Sequence, residues 1–174
     1  MNEIIKAMEE RRSIRKFKPD AVDRALISQV TEAGLYAASA MGRQGVITVA
    51  VTDKALRDRI SDANRRIGGW GESFDPFYGA PVILIVLADK NSPNRVYDGS
   101  LVMGNLMLAA HSLGLGSIWI HRAREEFEQD EFRELLKSLG IDSEWEGIGH
   151  CAIGYADCEP PAAAPRKENR VIWA

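Results

Sequence analysis

Two periods alternate along the chain. From Glu3 to Glu10 the apolar residues Ile4, Ile5 and Met8 share one helical face, which predicts a short helix. Asp23 is the expected N-cap of a second helix to about Ala38, with Leu26, Ile27, Val30 and Ala33 at helical spacing. Val46 to Val51 is dense in β-branched residues and predicts a strand. Thr52 is then expected to cap a third helix, from Asp53 to about Arg66. The continuous apolar run Pro81 to Ala88 predicts a buried central strand. A long helix is expected from about Tyr97 to Leu113, apolar on most sides because of Leu101, Val102, Leu106, Leu108, Ala109 and Leu113. Gly114 ends it. A short strand at Ser117 to Ile120, one helix over Glu125 to Leu139 and a last central strand over Gly147 to Tyr155 complete the pattern.

Strands separated by helices predict an α/β layered domain, a sheet covered by helices. The length of 174 residues suits one domain over residues 1–174. Residues 156–174 differ in character. Pro160, Pro161 and Pro165 precede a basic run and an apolar tip, Val171-Ile172-Trp173. Such an arm cannot form a core alone, and its tip suggests docking on a surface such as a second subunit.

Composition narrows the function. A net charge of -3 argues against a general nucleic-acid binder. No leader-like N-terminus and no bilayer-length apolar run are visible, so a cytoplasmic protein without a membrane span is expected. Cys151 and Cys158 make neither a disulfide framework nor a zinc site, and His111, His121 and His150 lack metal-ligand spacing. No G-x-S-x-G elbow, P-loop or dinucleotide fingerprint is present. Carboxylates fall mostly on faces expected to meet solvent. Polar density concentrates instead in two basic patches, Arg11 to Lys16 and Arg166-Lys167. Guanidinium forks suit phosphate because they donate paired charge-assisted hydrogen bonds. The first patch reads either as a phosphate clamp or as a solvated turn after a helix. A clamp without a nucleophile or metal suggests that a bound cofactor carries the chemistry. The glycine-rich aromatic segment 68–79 reads as a packed surface loop or as a lid, with Trp70, Phe74, Phe77 and Tyr78 as pocket-lining candidates.

The motifs in order carry a resemblance. Arg11-Arg12-Ser13-Ile14-Arg15-Lys16-Phe17, Ala38-Ser39-Ala40-Met41 and Tyr78-Gly79-Ala80-Pro81 come first. Asn105 to Ile120, ending Gly114-Leu115-Gly116-Ser117-Ile118-Trp119-Ile120, and then Gly154-Tyr155, Pro160-Pro161 and Pro165-Arg166-Lys167 follow. Together they span the chain, which resembles the FMN-dependent nitroreductase family. The resemblance implies a homodimer with a mixed central sheet flanked by helices and a C-terminal arm exchanged between subunits. It implies FMN at the dimer interface and NADH or NADPH as transient donor, with ping-pong hydride transfer through flavin N5 to a nitroaromatic, quinone or similar acceptor. By motif position, Arg11, Arg12 and Ser13 would hold the phosphate and ribityl chain, and Arg166 and Lys167 would complete the phosphate site. Arg15 would approach the pyrimidine side of the flavin and stabilise its anionic reduced form. Ser39, Ala40 and Met41 would reach the same flavin from the partner, with Gln44 nearby. Ile120 and His121 would lie near N5, and His121 is a candidate proton donor.

Many relatives place an asparagine and then Gln-Pro-Trp after the serine motif, where this chain has Gly42, Arg43, Gln44, Gly45 and Val46. That departure implies a looser loop and weaker FMN binding or a wider pocket. Two other readings stand beside the oxidoreductase: a specialised flavin enzyme (a dehalogenase or enoate-type reductase) and a flavin-binding module without turnover.

Overall fold

The β-branched run forms strand β1, Val46–Val51, and the apolar run forms β2, Val82–Asp89. Two more strands, β3 at Gly116–Ile120 and β4 at Trp145–Gly154, complete a sheet in the order β1-β2-β4-β3. The computed structural model describes residues 1–141 and 144–174. All pairings between these strands are antiparallel. Among the described residues the parallel component is one isolated bridge, Ser13 to Ser117, so the mixed character of the sheet rests there on the basic stretch.

β2 reads as an unbroken apolar run because both its faces are covered. Ile83, Ile85 and Leu87 face one core layer; Leu84, Val86 and Ala88 face the other. The first layer is closed by helix α3 (Lys54–Ile67) and two short helices, α5 (Ala123–Phe127) and α6 (Asp130–Ser138). The second is closed by α2 (Arg24–Leu35) and α4 (Arg95–Ser112). Helix α1, Glu3–Glu10, has no buried residue. Each fully buried leucine or isoleucine of β2 contributes about 2 kcal/mol by leaving water.

A bulge in β4 places Ile148 out of register, between the pairs Val86–Gly149 and Leu87–Gly147. Glycine is required on both sides of it. A Cβ on Gly147 would lie 2.3 Å from the Ala123 carbonyl oxygen, and one on Gly149 would lie 2.4 Å from Trp119 Nε1. The bulge thus lets the turn after β3 press directly onto β4.

Several expectations are corrected. Asp53 rather than Thr52 caps α3, because its carboxylate accepts from Leu56 N at 2.8 Å. The helix expected over Glu125 to Leu139 is broken into α5 and α6 at Gln129, which is extended (φ -81, ψ 143). On one continuous helix Phe127 and Phe132 would point roughly 140° apart. The break lets both enter the core, with ring centroids 5.6 Å apart. Leu139, expected inward, is exposed. So is Leu101, together with Val96 and Tyr97, so α4 carries an uncovered apolar stripe.

Candidate functional site

Helix α1 starts where the Asn2 side chain accepts from Ile4 N at 2.9 Å, and it stops at Arg11, whose ψ of 133 is no longer helical. From there the chain is extended, touching the outer edge of β3 at Ser117 and then pairing with the segment that follows β4. Ile14 N donates to the Ser117 carbonyl at 3.0 Å, Lys18 N to Tyr155 O at 2.8 Å and Asp157 N to Lys16 O at 2.9 Å. Ile14 and Phe17 point into the core. Gly116 makes room for Ile14: a Cβ there would sit 2.9 Å from Ile14 Cγ1. These ties fix the backbone and leave Arg11, Arg12, Ser13 and Arg15 on the solvent side. A surface turn would not be anchored at three points.

A cleft of about 870 Å³ opens beside them. One wall carries Arg11, Arg12, Ser13 and Arg15; the other is the arm from Pro161 to Arg166. The two basic patches, distant in sequence, therefore meet. Their cations differ in how they are held. Arg12 Nη1 donates to the carbonyls of Glu9 (2.6 Å) and Arg11 (2.7 Å), capping the C-terminal end of α1. Arg166 Nη2 donates to Ala164 O at 2.6 Å, within its own arm. Lys16 is bound 2.7 Å from Asp157, a contact that raises the lysine's pKa and lowers the aspartate's, and it fastens the root of the arm. Arg11 is the exception. Its Nη1 is buried and has no hydrogen-bond partner. A buried guanidinium nitrogen without an acceptor costs free energy unless an anion completes it, so the donor set fits a phosphate. Lys167 is exposed and does not line the cleft.

Arg11 also lies near Cys151. Burial pushes that thiol up to about 12, with Arg11 pulling weakly the other way. Cys151 is therefore protonated at neutral pH and no nucleophile.

The other predicted residues lie elsewhere. Ser39, Ala40, Met41 and Gln44 occupy the turn before β1, at the opposite edge of the sheet. Gln44 N donates to Ser39 Oγ at 3.0 Å, and Ala40 N donates to the buried Asp98 carboxylate at 3.0 Å. Met41 (φ 56) and Gln44 (φ 51) hold left-handed backbone, and Met41 is 87% exposed. Three strand spacings of about 4.8 Å separate the two edges, roughly 14 Å. One chain does not bring this turn into the Arg11 cleft.

Ile120 ends β3, buried, and His121 follows it, exposed, with its ring 5.8 Å from that of Trp119. Because Ser13 pairs with Ser117 in parallel, the basic stretch and β3 run the same way. The cleft and His121 thus mark the two ends of one strand edge. Arg122 is left-handed (φ 79), and its guanidinium lies 4.3 Å over the Trp70 ring. Trp70, Phe74 and Tyr78 stack in sequence, at 4.8 and 5.8 Å between centroids. Phe77 leaves that group: it is fully buried, with its ring centroid 5.2 Å from that of His150. The 68–79 segment is thus a packed loop.

Sequence reasoning missed a buried polar cluster. Asn64, Glu126 and His150 are all fully buried. Asn64 Nδ2 donates to Glu126 Oε1 at 2.5 Å and to the His121 carbonyl at 2.8 Å. Glu126 Oε2 faces His150 Nε2 at 2.8 Å, off the line of a hydrogen bond. A sequence signal existed: Glu126 sits between Ala123 and Phe127, both on an inward helical face. With Asp98 it is a buried exception to carboxylates that otherwise mostly meet solvent.

A sheet flanked by helices, with a basic cleft along one edge, sets the fold class. The comparisons make the class definite. The model of the nitroreductase family matches residues 8–67 and 70–155, and the chain belongs to that family. A nitroreductase with bound FMN from Bacteroides fragilis shares 26% identity and a TM-score of 0.88, covering 100% of both chains. The NADPH-flavin oxidoreductase of Vibrio harveyi is 28% identical, covering 99% of this chain and 73% of its own. The NAD(P)H FMN reductase of Bacillus subtilis is 29% identical over 159 residues, 79% of this chain. The chain spans 60% of that relative's length.

Proposed function

We propose that this protein is an FMN-dependent oxidoreductase that takes electrons from NADH or NADPH and passes them to a nitroaromatic, quinone or similar acceptor. The observation that carries the reading is the buried, unpartnered Arg11 Nη1 in a cleft shared with Ser13, Arg15 and Arg166. Arg11, Arg12, Ser13 and Arg166 would hold the phosphate, with Lys167 outside the cleft. Arg15, exposed at the same wall, would stabilise negative charge on the ring. Bound FMN would supply the two-electron, hydride-accepting chemistry that the chain's own side chains lack. Donor and acceptor then use the site in turn, in ping-pong order.

The working unit we propose is a cytoplasmic homodimer. Apolar surface supports it: α1 exposes Ile4, Ile5 and Met8, α4 exposes its stripe, and Trp173 on the arm is 93% exposed. The Ser39 turn, about a sheet's width from the cleft, would reach FMN only from a second copy, and the arm would cross between subunits. Among the described residues no helix is long and apolar enough to cross a membrane.

Purified protein should be yellow or turn yellow with added FMN. NADH or NADPH should bleach the colour anaerobically, and an acceptor should restore it. Protein that takes up no FMN contradicts the reading; yellow protein that neither nicotinamide bleaches is a flavin-binding module without turnover.

A further inference from the structure

Burying polar groups is costly unless each is hydrogen-bonded, and here Glu126 Oε2 and both His150 ring nitrogens are buried without a hydrogen-bond partner. The cluster of Asn64, Glu126 and His150 therefore calls for a reason other than stability. Its outlet is a single main-chain group. Of the two hydrogen bonds Asn64 Nδ2 donates, one is to Glu126 and one to the His121 carbonyl. His150 stands opposite Ile120 in the β3–β4 pairing, so the cluster braces β4, α3, α5 and the end of β3 at one point.

The consequence lies in the peptide between His121 and Arg122. It is trans, so its N–H points opposite to its C=O. With the carbonyl held inward by Asn64, the Arg122 N–H is turned outward, away from α3. That N–H donates to no group among the described residues. Arg122 holds a left-handed conformation (φ 79), which a non-glycine residue keeps only where its surroundings impose it. Two independent contacts impose it here: the Asn64 bond on the preceding carbonyl and the stack of the Arg122 guanidinium on Trp70, 4.3 Å away.

We propose that Asn64, backed by Glu126 and His150, is a positioning residue that aims the Arg122 N–H outward as a fixed donor to the ring of the bound cofactor. The inference rests on the FMN reading above. In this account the buried acid and imidazole act through Asn64 and touch neither cofactor nor substrate. Glu126 restrains the Asn64 amide, and His150 restrains Glu126.

The test is an FMN titration of isotope-labelled protein, read at the Ser13 and Arg122 amide resonances, with the reduction rate of the bound flavin by NADH or NADPH measured in parallel. In the wild type both resonances should move. In Asn64→Leu, Ser13 should still report binding, while Arg122 no longer responds. Reduction should slow by about ten- to a hundredfold, the scale expected when a reacting geometry slips by about 1 Å. Asn64→Leu that matches wild type in both readouts overturns the inference. If Asn64→Leu does not fold, the wild type decides: Ser13 moving without Arg122 overturns the positioning role alone. If neither resonance moves, the FMN reading falls and the inference with it.

Discussion

Two arginines, one on helix α3 and one just after helix α1, show opposite uses of one side chain. Arg57 of α3 is 8% exposed and fully engaged. Its Nε donates to Ala80 O at 3.0 Å, Nη1 to Asp58 at 3.2 Å and Nη2 to Asp75 at 2.5 Å, and it lies 5.5 Å over the Phe77 ring. Asp75 in turn accepts from Ser61 Oγ and from the amides of Phe77 and Gly79. This is a knot that ties the 68–79 loop to α3, and it gives each guanidinium nitrogen an acceptor within the protein. Arg11 stands on an equally anchored backbone but keeps a buried nitrogen without a partner. Burial alone does not mark a ligand site. What separates the two arginines is whether the protein supplies every acceptor itself.

Five changes probe that difference. The largest effect should come from deleting the arm from Pro160 onward. It removes one wall of the Arg11 cleft and the exposed Val171-Ile172-Trp173 tip, and monomeric, flavin-free protein is expected. Dimeric yellow protein in size-exclusion runs would show that the arm is dispensable. Next, Arg57→Ala leaves Asp75 without its main partner. Breaking such a pair costs about 3 kcal/mol, a drop of roughly 6–12 °C in melting temperature for a chain of this size. The folded variant should still bind FMN as the wild type does. Arg11→Ala should show the reverse. Little stability is lost, since Nη1 had no partner, but losing a charge-assisted phosphate contact of about 1.5–3 kcal/mol weakens FMN binding by roughly ten- to a hundredfold. Arg166→Ala should weaken it in the same direction.

The smallest effect is on pH. Burial pushes the Asp75 carboxyl up, but its bonds to Arg57 and Ser61 outweigh that and hold it below the ordinary carboxylate range. A carboxyl with a folded pKa below its unfolded value, about 3.9, stabilises the fold above that unfolded value. The contribution fades as pH falls through the folded pKa. Melting temperature should therefore decline in acid below about pH 4, and Asp75→Asn should flatten that decline. A slope unchanged in Asp75→Asn would show that other carboxylates dominate it.

Periodicity made most of the fold legible. The helix over Glu3–Glu10 and the strand over Val46–Val51 have the boundaries that their patterns predict, since each run is short and marked by a polar residue or glycine. The site was legible where one stretch concentrates charge: Arg11, Arg12, Ser13 and Arg15 do share a cleft with Arg166. The illegible parts are those set by distant contacts. The break at Gln129 exists because Phe127 and Phe132 both seek the same core. Asn64 and Glu126 meet across 62 positions, and no local pattern announces that. Nor does sequence show that Lys16 is spent on Asp157 while Arg11 is left open.

The central claim is that Arg11 keeps its buried donor for the phosphate of FMN. A flavin-fluorescence titration of wild-type and Arg11→Ala protein tests it most directly. Saturable quenching by the wild type is expected, with binding weaker by roughly ten- to a hundredfold in the variant and the two melting temperatures nearly equal without flavin. Equal affinity of the two proteins for FMN, or no quenching by the wild type, would contradict it.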